Sequence, residues 1–239
     1  MDDLTFLTWN LALLERSAEA PPHWGQLESE HAVRELVLAM EPDIVLYQEL
    51  PGLVPFVETH GMVRSNPRTH SGHLAVLLTH DLLDADPRPL PLAGGALLVT
   101  LERLDLTIAN VHLAPGRQGR TRRLATLEAI AAAASTERLL VAGDTNTRSA
   151  ELAAIAELGL AAPDLPGPTR DSRRNRFRVD GTRFSASFTR YFVRGDVGVH
   201  DVRVHTEPVV ADDAHRFHLS DHYALSGTVT STSAGAPAP

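Results

Sequence analysis

Apolar runs at residues 4–8, 44–46, 106–111 and 139–142 each lead into a cluster of polar, chemistry-bearing residues. The clusters are Thr8-Trp9-Asn10, Tyr47-Gln48-Glu49, Asn110-Val111-His112 and Gly143-Asp144-Thr145-Asn146. A fifth, Ser220-Asp221-His222, directly precedes the strand-like run 223–229. Runs this short suit buried strands and are too short for buried helices. A sheet gathers its strand ends. Buried strands would therefore bring amides (Asn10, Asn146), carboxylates (Glu49, Asp144, Asp221) and imidazoles (His112, His222) to one pocket. Hard oxygen donors beside imidazoles suit a divalent cation and a phosphate ester. The pattern points to metal-assisted phosphoryl chemistry.

The rest of the chain narrows the choice. It has no cysteine, which excludes disulfides, thiolate catalysis and zinc–thiolate sites. All 22 basic residues are arginine, which removes Schiff-base lysines and the lysine-dependent phosphate loop. At 239 residues, 43% hydrophobic and 22% charged, there is room for one large α/β domain but not comfortably for two. No apolar stretch of about 18 residues and no N-terminal apolar segment occurs, so neither a membrane span nor a signal peptide is expected and the location expected is cytoplasmic. Nothing in the chain reads on oligomeric state. The net charge of −8 argues against a strong, sequence-independent grip on nucleic acid. That charge is uneven, however. Arg117, Arg120, Arg122 and Arg123 follow His112, and Arg170, Arg173, Arg174, Arg176, Arg178 and Arg183 crowd a later segment. Such clusters fit either a polyanionic substrate or solvated loops.

Periodicity predicts helices over 26–40, 122–134 and 150–158, the first stopped by Pro42 and the last by Gly159. Strands are expected over 4–8, 43–47, 73–79, 96–100, 104–111, 139–142, 184–193, 197–205 and 223–229. Residues 81–95, 51–72 and 163–183 read as connections, the last a polar surface loop. The domain is expected to span 1–229, with a disordered tail over 230–239. Strands outnumber helices, which favours a two-sheet sandwich with helices outside over a doubly wound parallel sheet.

Taken in order, TWN, QE, NVH, GDTN and SDH resemble the endonuclease/exonuclease/phosphatase superfamily of deoxyribonuclease-like metal-dependent phosphoesterases, across residues 4–229. The resemblance implies a four-layered α/β sandwich, two packed β-sheets flanked by helices, with the site at one end. It implies Mg2+ or Mn2+ as cofactor, held by Glu49 with Asn10 and, on the metal side or its waters, Asp221. Asp144 and Asn146 would orient the attacking water, and His112 and His222 would brace the phosphate. Arg190, Arg117 and Arg122 are the candidate substrate-binding residues.

One departure stands out. Where the family carries an aspartate that orients the last histidine, this chain offers Thr189 or Arg190. A histidine without its carboxylate loses tautomer control and support for its charged form. Asp180, Asp196 or Asp201 would have to substitute, or Arg190 would reach the phosphate while His222 works as a neutral donor, or the site is degenerate. The middle of the chain also lacks a tyrosine the family expects, which counts against abasic-site recognition. The function expected is hydrolysis of phosphate esters, first as a nuclease-like phosphodiesterase. A lipid headgroup or sugar-phosphate phosphatase is the second choice, and a non-catalytic phosphate-ligand-binding member the third.

Overall fold

The computed structural model of the protein describes residues 3–51, 57–64, 72–83, 88–179 and 181–230. In chain order its strands are β1 (Leu4–Asn10), β2 (Ile44–Leu50), β3 (His60–Arg64), β4 (His73–Thr79), β5 (Arg88–Leu92), β6 (Ala96–Leu101), β7 (Leu106–His112), β8 (Arg138–Asp144), β9 (Arg170–Asp171), β10 (Ser185–Ala186), β11 (Thr189–Arg194), β12 (Gly198–His205), β13 (Val209–Val210), β14 (Arg216–Phe217) and β15 (Ala224–Thr230). The helices are α1 (Gln26–Met40), α2 (His80–Leu83), α3 (Arg120–Ala133) and α4 (Leu152–Glu157).

Six strands form one sheet, ordered β12-β15-β1-β2-β4-β3, and five form another, ordered β11-β8-β7-β6-β5. Within these sheets only β1 with β2 and β7 with β8 run parallel. A parallel pair needs a long crossover, and α1 and α3 supply the two. Both lie on outer faces. Val33 and Val37 of α1 pack on Leu7, Val45 and Tyr47, while Leu127 and Ile130 of α3 pack on Ala109, Val111 and Val141. Between the sheets, Phe6, Leu46, Val76, Val99, Ile108 and Leu140 form the central core. The result is helix, sheet, sheet, helix, the four-layered α/β sandwich expected from the sequence. Central strands buried on both faces explain why their runs are continuously apolar rather than alternating.

Three expected connections contain structure. Residues 51–72 hold strand β3, which pairs antiparallel with β4. Residues 81–95 hold α2 and the edge strand β5, where Pro91 is tolerated because an edge strand leaves one side unpaired. Residues 163–183 are not a free surface loop: β9 pairs with β10, and Thr169, Asn175 and Phe177 are buried. Residues 52–56 and 65–71 of the 51–72 connection, Asp180, and 231–239 of the expected tail lie outside the described residues.

Gly143, just before the β8 terminus, has φ +146°, and a Cβ there would lie 2.1 Å from the Val111 carbonyl oxygen of the neighbouring strand. Gly159, which closes α4, has φ +76° and nothing within 4 Å of a Cβ. Gly143→Ala is therefore expected to cost at least about 2 kcal/mol in denaturant unfolding, and Gly159→Ala about 1 kcal/mol. Equal costs would mean that backbone strain alone, not contact with β7, selects glycine at 143.

Candidate active site

The two parallel pairs put the carboxyl ends of β1, β2, β7 and β8 at the same end of the sandwich. Side-chain alternation then decides which residues face inward. Phe6, Ile44, Leu46, Ile108, Leu140, Ala142 and Tyr191 belong to the central core. Residues two or four positions away along each strand share that face, which places Thr8, Asn10, Gln48, Asn110, His112, Asp144 and, two before Tyr191, Thr189 between the sheets where the apolar core ends. Glu49 breaks this parity and would point outward on a regular strand. A register shift between Tyr47 and Leu50, with Glu49 at φ +49°, turns it inward.

Buried amides hold that bulge. Asn110 Nδ2, on the opposite sheet, donates to the Tyr47 and Ala75 carbonyls, both at 2.8 Å. Its Oδ1 accepts from Gln48 Nε2 at 2.8 Å, and Gln48 Nε2 also lies 3.0 Å from Thr8 Oγ1. Gln48 and Asn110, read from the sequence only as cluster members, thus act as a bridge between sheets.

Asn10 divides its two donors between Glu49 Oε1 and Asp144 Oδ2, each at 3.0 Å, and its oxygen accepts the Ala12 N–H at 2.9 Å. With that oxygen engaged, Asn10 brackets the carboxylates. His112 Nε2 sits 3.6 Å from Glu49 Oε1 and 3.6 Å from Asp144 Oδ2. Ligand atoms of Glu49, His112 and Asp144 lie within 4.8 Å of one another. Two ionised carboxylates that close repel by about 3 kcal/mol at an effective dielectric near 20. A neutral amide and an imidazole offset little of it. The donor set suits a hard divalent cation.

His222 Nε2 approaches the same Asp144 oxygen at 3.8 Å. Its Nδ1 meets Thr189 Oγ1 at 3.1 Å, so the threonine hydroxyl itself occupies the position of the expected carboxylate partner. Neither Asp196, at the far end of β11, nor Asp201, on β12 beside His200, stands in for it. The SDH segment is pinned to β1: Trp9 Nε1 donates to the His222 carbonyl at 3.0 Å, and Ser220 Oγ to the Asn10 carbonyl at 2.6 Å. Asp221 lies outside the carboxylate group. Its Oδ2 accepts from Arg170 Nη2 at 2.5 Å and lies 3.8 Å from Arg178 Nε. The cations beside it are protein side chains.

Arg190 alternates away from Thr189 and shares the outer face with Phe192; burial lowers its pKa, opposed by the Asp164 carboxylate. It does not join the cluster. Arg117 and Arg122 are exposed, and among the described residues neither pairs with Glu49 or Asp144. Asn146, at φ +50°, takes Asp144 Oδ1 on its own N–H and donates its side chain to the Leu113 carbonyl at 3.1 Å. Arg123 falls in the arginine cluster that suits either a polyanionic substrate or a solvated loop, yet it is fully buried. It grips Glu151 through two nitrogens and donates to the Ala114 and Gly116 carbonyls. It therefore ties the loop after His112 to the loop after Asp144. Its place three residues into an amphipathic helix, on the apolar face shared by Leu127 and Ile130, was the available signal.

Asn110→Ala removes the partner of two buried carbonyls and of Gln48. The expected loss is about 3 kcal/mol in urea unfolding, with the slope unchanged. A loss below about 1 kcal/mol would mean the bulge holds itself.

A model of the Endonuclease/Exonuclease/phosphatase family matches residues 7–222. No curated protein matches the sequence. Among solved structures, truncated Caenorhabditis elegans TDP2 superposes with TM-score 0.72 at 18% identity, covering 95% of this chain and 97% of that one. D. rerio TDP2 complexed with single strand DNA product gives 0.71 at 17% identity, covering 96% and 100%. The endonuclease domain of TRAS1, a telomere-specific non-LTR retrotransposon, gives 0.61 at 16%, covering 96% and 99%. At such identities the structural likeness is one of fold. The family match, by contrast, takes in every cluster from Asn10 to His222, and on that ground the chain belongs to the endonuclease/exonuclease/phosphatase family.

Proposed function

We propose that the chain is a divalent-cation-dependent phosphodiesterase acting on nucleic acid. The observation that carries this is the convergence of Glu49, His112 and Asp144, with His222 approaching the same Asp144 oxygen as His112. Glu49 is the more open carboxylate, 20% exposed against 4% for Asp144, and is the one to hold a cation. A bound magnesium or manganese ion would supply a Lewis acid that neutralises charge on the phosphate oxygens. Asp144, with Asn146 beside it, orients a water and takes its proton as the water oxygen bonds to phosphorus and the bond to the leaving oxygen breaks. His112 and His222 donate to the non-bridging oxygens, where charge builds in the transition state. Asn10 keeps both carboxylates in place throughout. Positioning and electrostatics account for nearly all of the rate, as is usual for phosphoryl transfer.

Nucleic acid is the substrate class best supported. Arg170 beside His222 and Arg148 beside Asn146 put arginines at the site of an otherwise acidic chain, which favours a polyanion over a small phosphate ester. The single strand DNA product in the D. rerio TDP2 structure is consistent with that choice.

The test is hydrolysis of a single-stranded oligodeoxynucleotide, an RNA, bis-p-nitrophenyl phosphate, sphingomyelin and an inositol phosphate, each with magnesium, manganese or EDTA. Turnover of the nucleic acids is expected only with a divalent cation. Glu49→Gln and Asp144→Asn should each lower kcat by about 10^2 to 10^4. Preferred turnover of the lipid or the inositol phosphate would overturn the substrate class. Loss of all turnover, with inorganic phosphate still bound, would make this a non-catalytic member of its family.

Thr189 is a positioning residue in this scheme, because its hydroxyl orients the His222 ring without adding charge. Thr189→Val is expected to lower kcat about tenfold with little change in KM, and Thr189→Ser to restore it. An unchanged kcat in Thr189→Val would remove the threonine from the reaction.

A further inference from the structure

The polar cluster is flanked by a row of four side chains that the scheme above does not use. The Arg148 guanidinium carbon lies 5.6 Å from the Phe188 ring centroid. Phe188 and Phe184 have centroids 6.1 Å apart and planes inclined by 58°. The Arg170 guanidinium carbon lies 5.3 Å from the Phe184 centroid. Both ends of the row reach the site. Arg148 Nη1 donates to the Gly116 carbonyl at 3.1 Å and to the Asn146 carbonyl at 3.3 Å, while Arg170 Nη1 is 3.5 Å from His222 Nε2.

Neither phenylalanine belongs to any of the three apolar cores, and both are partly exposed. Their backbones are nonetheless fixed. The Phe188 carbonyl accepts from both the N–H and the hydroxyl of Thr145, and Phe184 exchanges hydrogen bonds with Ser172 at 3.0 and 2.9 Å. Asp221 anchors Arg170 at 2.5 Å. Two rings kept out of the cores and held between two cations at the edge of a phosphate site have the makings of a surface for bases on a charged backbone. Aromatic faces stack any base, and arginine adds cation–π and phosphate contacts.

We propose that the row Arg148–Phe188–Phe184–Arg170 is a nucleobase platform for single-stranded nucleic acid. A base next to the scissile phosphate stacks on the phenylalanine pair, and the two arginines meet the adjoining phosphates. The proposal rests on the nucleic-acid reading above and adds to it a base-dependent contact that no metal-side residue supplies.

The experiment measures binding without turnover. A fluorescein-labelled single-stranded oligodeoxynucleotide of mixed sequence is titrated by anisotropy in EDTA, beside a strand of equal length whose central residues are abasic tetrahydrofuran. Wild type should bind the base-bearing strand about tenfold more tightly. The double variant Phe184→Leu/Phe188→Leu keeps apolar volume but removes the rings. It should lose that preference while its affinity for the abasic strand holds. Phe188→Trp should keep the preference. Equal binding of the two strands by wild type, or a preference that survives in the leucine double variant, would overturn the platform. If both strands bind equally and the base-bearing one is cleaved with magnesium, the platform alone fails. If neither strand binds and only a small diester is cleaved, the nucleic-acid reading fails with it.

Discussion

The Asn110 carboxamide ties the two sheets together at the end where the chemistry gathers. A bulge in β2 turns Glu49 toward the interior, at the cost of an irregular ladder beside the Tyr47 and Ala75 carbonyls. Those carbonyls are buried, and a buried carbonyl without a donor costs about as much as a lost hydrogen bond. Both are satisfied from β7 on the other sheet. The position of one carboxylate is thereby made to depend on how the sheets are stacked. Gln48 and Thr8 extend the bridge on the first sheet, and Asn10 continues it outward by holding Glu49 and Asp144 with its two N–H groups. Amides are suited to the task because each offers donors and an acceptor in one rigid plane.

The charges around this end are arranged in two ways. On one side, Glu49 and Asp144 converge with only an amide and an imidazole between them, which leaves negative charge for a cation to offset. On the other, Asp221 is already matched by Arg170, with Arg178 further out. A fixed positive group therefore sits next to His222, and a place for a mobile positive ion sits next to His112. A phosphate group lying between the two histidines would meet positive charge from both directions. The overall charge of −8 says nothing of this, because it averages over a surface on which the arginines are unevenly placed.

Much of the fold was legible because the buried strands are almost uninterrupted apolar runs bounded by polar clusters, and because α1 has clean apolar spacing and a proline stop. The identities of Asn10, Glu49, His112, Asp144 and His222 could be read the same way, from their places at the ends of those runs. Other features were not. Strand β5 was hidden by its prolines, which only an edge position tolerates. The pair β9 and β10 has two residues in each strand, too few for any periodicity. Asp221 stands beside His222 in sequence, but its role is set by Arg170, 51 positions away. Whether Thr189 or Arg190 stands where the family carries its aspartate was open in the sequence. The alternation that buries Tyr191 in the central core decides for the threonine and against the arginine.

The sequence by itself determined the family, the sandwich of two sheets with outer helices, and which polar residues end the buried strands. All of these follow from local pattern: strand-length apolar runs, helical spacing, and cluster order along the chain. Only the tertiary structure decided that Glu49 turns inward, that Asn110 bridges the sheets, that Arg123 is buried against Glu151, and that Asp221 is held by arginine. Each is a contact between segments distant in the chain. A bulge depends on the strand paired with it, and a buried charge or amide on whichever partner packing delivers, so neither is written in the residues around it.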